Sequence, residues 1–211
     1  MMMMITVFIV IMTFLMVVSK RITMLVNAFA AQSAFLALLA LSRAVATGSA
    51  ELYAVAAIIF LIKAVLIPKI LKNVSASIKA GENLGLVVNP MLSTVCVSAL
   101  ACLGWIFARK VICIPGLAES VALAVSLTVM LTGLFIMVFR LKAVAQVAGL
   151  LVMENGIFLA AVALCGNMPF FVEIAIFFDI FVCVIILGMF VYRIKSLFTH
   201  INLDKLNTLK G

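Results

Sequence analysis

Charge is what this sequence has least of. Only 10% of its 211 residues are Asp, Glu, Lys or Arg, against 68% that are hydrophobic. A soluble domain is about half apolar and about a quarter charged, so the composition excludes that class and points to a polytopic membrane protein. Long polar stretches are missing too, which leaves no room for an extramembrane domain. With one histidine, His200, and five scattered cysteines without a CxxC pair, the chain has no zinc, haem or dithiol redox spacing. Of the cysteines, only Cys113 and Cys165 fall near the same membrane face, the one pairing open to a disulfide. No phosphate loop, dinucleotide fingerprint or Ser–His–Asp grouping occurs. If the chain works in an enzyme, another subunit holds the catalytic centre. The net charge of +8 comes without a basic cluster interleaved with aromatics, so it does not indicate nucleic acid.

What is there in quantity is apolar helix. Spans are expected at Met1–Val18, Ile22–Ser42, Glu51–Leu71, Met91–Ala108 and Leu117–Phe139, followed by two more within Val144–Tyr192. Each is about 18–23 residues long, close to the ~20 that a helix needs to cross the hydrocarbon core. The basic pair Lys20-Arg21 follows the first apolar run instead of preceding it, so that run reads as a retained span and not a cleaved signal. Pro68 is expected to kink the third span. The longest connector is Lys72–Pro90, and Val111–Gly116 forms a turn.

Seven spans put the termini on opposite sides. Eleven of the Lys and Arg residues then fall on one side and three (Arg43, Arg109, Lys110) on the other, with Lys63 inside the membrane completing the fifteen. The positive-inside rule places the C-terminus in the cytoplasm and the N-terminus outside. A faint internal repeat accompanies this topology. An offset of 122 residues lays Gln32-Ser33 on Glu154-Asn155, so that spans one to three match five to seven in the same orientation. The expected fold is an all-α integral membrane protein with two parallel three-helix repeats joined by one span. Its parts are residues 1–90, a linking span 91–116, a second repeat 117–192 and a cytoplasmic tail 193–211.

Three ionisable residues lie at membrane depth, where such groups are costly and usually functional. Glu154 sits ~18 Å along its helix from Lys142, near mid-membrane, and Asp179 lies ~21 Å from Arg193. A short turn joins their helices, so the two carboxyls can stand at one level and pass a proton between them. The plainer reading is a neutral carboxyl bonded to a facing helix. Lys63 either joins these acids as carrier or partner, or snorkels to the interface. Gln32 and Asn155 are accessory candidates, with Asn155 read as a packing amide. Glu51 and Glu173 open helices and suit capping. Trp105 and Tyr192 suit the interface.

The segments RLKAVAQVAGLLVMENGIFLA and EIAIFFDIFVCVIILGMFVYR resemble the K subunit of complex I (NuoK) and the C subunit of Mrp antiporters. In that family two successive helices each carry a buried Glu. Glu154 matches the first, and Asp179 stands where the second would be Glu. The whole chain, including FLIKAVLIPKIL and the tail NLDKLNTLKG, resembles component E of hydrogenase-4-type complexes (HyfE). That resemblance implies a non-catalytic subunit in the inner-membrane arm of a nickel–iron hydrogenase such as a formate hydrogenlyase. It further implies a proton or ion path through Glu154 and Asp179, with Lys63 as a third member. No cofactor would be bound by this chain. A nickel–iron centre, iron–sulfur clusters or a quinone would belong to partner subunits of antiporter-like and hydrogenase-like or complex I-like type. The alternatives are a structural scaffold in the same arm, a subunit of a complex I-like or Mrp-type assembly, or a free-standing small transporter.

Overall fold

The computed structural model describes residues 2–48, 50–77, 85, 88–112, 117–164, 181, 182 and 188. They form helices α1 (Met2–Val18), α2 (Ile22–Thr47), α3 (Ala50–Ile59), α4 (Ile67–Ser77), α5 (Pro90–Phe107), α6 (Leu117–Phe139) and α7 (Ala143–Leu164). Two π-helical segments, Phe60–Leu66 and Ala108–Ile112, continue α3 into α4 and extend α5. Among the described residues there is no strand. Five helical stretches among the described residues are long and apolar enough to cross a membrane, and α1 is a shorter apolar helix. The chain is therefore an all-α protein of membrane-spanning type. Except for residues 181, 182 and 188, the expected seventh span, with Asp179 and Glu173, lies outside the described residues, as do Cys113, Cys165 and the tail.

Several boundaries differ from the sequence expectation, each for a local reason. The second helix was expected to stop at Ser42, but the alanine-rich run carries it on to Thr47, past Arg43. It ends where Gly48 adopts φ 67°, a left-handed conformation that glycine enters without steric cost, and the Gly48 N–H caps the Ala44 carbonyl at 2.9 Å. The third span was expected to end at Leu71 and instead runs to Ser77. In α4, Ile67, Leu71 and Val74 are buried while Lys69 and Lys72 are exposed, a spacing that holds a helix against the bundle. Asn89 and Pro90 start α5, with Asn89 Oδ1 facing the Met91 N–H.

Pro68 acts differently from a simple kink. A proline lacks its own N–H and crowds the carbonyl four residues earlier. Here the preceding turns are widened to the i→i−5 pattern, with the Ile67 N–H bonded to the Ile62 carbonyl, and Pro68 enters as the second residue of α4.

The bundle is organised around α2, which touches α1, α3, α4, α7 and the π segment at Phe60–Leu66. The α6–α7 pair is the most extensive helix contact. It depends on glycine: a Cβ at Gly133 would lie 2.4 Å from the Met153 nitrogen, and one at Gly156 would lie 2.6 Å from the Met130 nitrogen. Small residues let two backbones approach this closely, which is how membrane helices gain contact without a hydrophobic drive between them. α5 is the most outlying of the spanning helices.

Candidate functional site

Glu154 stands midway along α7, between Gly149 and Gly156, so the glycine contacts with α6 fix its height and direction. Lys63 stands at the centre of the π segment, itself near the middle of the 25-residue rod Leu52–Ala76. The widened turns aim it inward. Lys63 Nζ lies 3.0 Å from Glu154 Oε1, with both side chains at most 5% exposed. Lys63 does not snorkel. A charge pair this deep keeps its ionic form only through close partners, because desolvation opposes each charge separately.

A row of polar contacts continues from this pair across the bundle. Asn155 Nδ2 donates to Gln32 Oε1 at 3.2 Å and to Ser33 Oγ at 3.1 Å. Gln32 Nε2 donates to Thr13 Oγ1 at 2.8 Å, and the Thr13 hydroxyl donates to the Ile9 carbonyl at 2.7 Å. All four side chains are buried. Asn155 Oδ1 has no hydrogen-bond donor among the described residues. The row therefore joins α1, α2 and α7, and the adjoining Lys63–Glu154 contact joins α7 to the α3–α4 rod. Together they gather four of the five sequence candidates, Lys63, Glu154, Gln32 and Asn155. Asp179, the expected partner of Glu154, lies outside the described residues.

Sequence reasoning did not single out Thr13 or Ser33 as site residues. A buried hydroxyl in an apolar helix carries little signal, since it can bond back to its own helix, as Thr13 does. The π segment was also unforeseen, although a lysine five residues before a proline in an apolar run was the available cue.

A second buried cation closes one end of the bundle. Arg140, between α6 and α7, is 2% exposed and its Nη2 donates to the Val17 carbonyl at the C-terminus of α1. A cation suits that end of a helix. Burial lowers its pKa to about 10, so it remains protonated at neutral pH. Arg43 Nη2 reaches the Val162 carbonyl near the opposite end, at 3.5 Å.

A protein of Mycobacterium tuberculosis, the uncharacterized protein Rv0085, is 30% identical to this chain over 188 residues, covering 88% of this chain and 85% of its own length. The chain belongs to the same family as that mycobacterial protein. No family model matches it, and no solved structure does. In this member of the Rv0085 family the ion pair and its amide row are the features that call for a function. Among the described residues no group of His, Cys, Asp or Glu could hold a metal ion.

Proposed function

We propose that this chain is a non-catalytic subunit in the membrane arm of an energy-converting redox complex of the hydrogenase-4 type, and that the Lys63–Glu154 pair lies on its proton path. The observation that carries the reading is the pair itself: an acid and a base 3.0 Å apart at the middle of two membrane-spanning helices. A pair of this kind can exchange a proton internally and become neutral. It can also be split when a neighbouring charge changes, which is the step a relay needs. Asp179, on the succeeding span, is the proposed next member. Redox centres would sit in partner subunits, and the membrane would be the cell's inner membrane, with the C-terminus cytoplasmic.

The same reading includes seven spans built as two parallel three-helix repeats. The long-range polar links support it. They join residues 119 to 123 apart: Arg43 to Val162, Asn155 to Ser33, and Asn155 to Gln32. The link from Arg140 to Val17 falls in the same interval. In a repeat related by an axis along the membrane normal, matching residues near that axis meet each other.

The test is Glu154→Gln in the complex purified from its native membrane. The expected result is an assembled complex that turns over but pumps fewer protons per turnover. Pumping at the wild-type ratio removes Glu154 from the path. The co-purifying subunits test the assignment itself. A nickel–iron subunit supports it, and a lone oligomer opposes it.

A scaffold role in the same arm is the second reading, favoured by the continuous bonding of four elements through the polar row. Under that reading Glu154→Gln lowers the yield of complex before it changes coupling.

A further inference from the structure

We propose that the Gln32–Asn155 amide pair is a proton stop that confines protons to the Lys63–Glu154 side of the bundle. The inference rests on the relay reading above and adds a residue role that the relay alone does not require.

Proton transfer along a hydrogen-bonded row needs members that can both give up and take a proton. Carboxyls, amines, hydroxyls and water can. A primary amide cannot at ordinary pH: its N–H is not an acid, and its oxygen is too weak a base to hold a proton. The row from Asn155 to Thr13 passes through two amides in succession, Asn155 Nδ2 to Gln32 Oε1 and Gln32 Nε2 to Thr13 Oγ1. Turning both amides over would reverse the direction of donation and change nothing, because each link would still involve an amide group that neither releases nor holds a proton. Both residues are at most 2% exposed, so bulk water does not reach the amides themselves.

What lies on either side makes the stop meaningful. On the α7 side are an acid and a base in contact. On the α1 side are hydroxyls: Thr13 and, seven residues away on the same helix, Thr6, both buried. A hydroxyl can rotate and exchange donor for acceptor, so this second group can pass protons where the amides cannot. The geometry thus sets a transferable group and the hydroxyls of α1 on opposite sides of two non-transferable side chains. Replacing both amides by the matching acids would join them with almost no change in shape.

The experiment uses the protein as it purifies from its native membrane, with its accompanying subunits, reconstituted in liposomes containing a pH-sensitive dye and held without redox substrate. After an external acid step, wild type and Gln32→Leu are expected to acidify slowly. Gln32→Glu/Asn155→Asp, which leaves no amide in the row, is expected to acidify at least tenfold faster, and Gln32→Glu/Asn155→Ser opens the same row with a hydroxyl in case the first variant fails to assemble. Adding Glu154→Gln to the fast variant is expected to restore the slow rate. Assembled double variants that both stay as tight as wild type overturn the stop. A fast rate in Gln32→Leu also overturns it, since the leak then comes from a packing defect. If a double variant leaks and the added Glu154→Gln leaves the leak unchanged, the stop stands and the relay role of Glu154 falls.

Discussion

Where α6 meets α7, backbone touches backbone; where α3 meets α4, the helix changes its own pitch. The first region carries Glu154 and the second carries Lys63, so the two halves of one ion pair are mounted in opposite ways. At the α6–α7 contact no Cβ fits at Gly133, Gly149 or Gly156 without displacing main chain. In the α3–α4 rod, seven residues follow a wider hydrogen-bond pattern, and Lys63 is their midpoint. π-helical turns pack their hydrogen bonds less well than α turns and recur at functional sites. The difference teaches that the acid is the fixed member and the base the adjustable one. Under the proposed function, a redox-driven change would move Lys63 on its wide turns more readily than Glu154.

The largest effect should come from breaking the pair on either side. Lys63→Ala or Glu154→Ala strands a buried charge and is expected to destabilise the protein by ~3–5 kcal/mol. The joint change to Met at both positions is expected to recover most of that. Unfolding midpoints in mild detergent read both, and a double variant no better than the singles would mean that the pair's partners extend beyond each other. Next, the rigid side can be pried open. Gly133→Ala and Gly156→Ala are each expected to cost ~1–3 kcal/mol by overpacking. A cost near zero at both would show that α7 is as adjustable as the rod and would remove the contrast. The smallest effect belongs to the adjustable side. Pro68→Ala is expected to lower stability by no more than ~1 kcal/mol, the usual entropic contribution of a proline in a compatible conformation. A much larger loss would mean that the proline holds the wide turns in place.

Much of the fold was legible because the bilayer demands simple things of a sequence. Apolar runs of the right length located every described helix. The charge that interrupts such a run located Glu154 and Lys63, since a charge there stands out against its surroundings. Their contact was not legible. It depends on the angular offset that the π segment introduces, and a periodicity of 3.6 does not contain that offset. The 122-residue offset that aligned Gln32-Ser33 with Glu154-Asn155 picked out residues that meet in space, because Asn155 bonds to both Gln32 and Ser33. Helix ends were legible only to within a turn or two. Arg43 was read as loop because charge usually ends a span, yet a long side chain can remain on the helix and reach a carbonyl of a neighbouring one.

The Arg140 clamp has a consequence for how the chain is made. The Val17 carbonyl, at the end of α1, is held by a side chain 123 residues further on. At a synthesis rate of ~5–20 residues per second, that partner arrives roughly 6–25 s later. During that interval α1, at 17 residues and therefore ~25 Å long, is shorter than the hydrocarbon core it must occupy. The C-terminal end of α1 thus gains this bond only once the α6–α7 loop has emerged, although α2 packs on the same helix from early in synthesis.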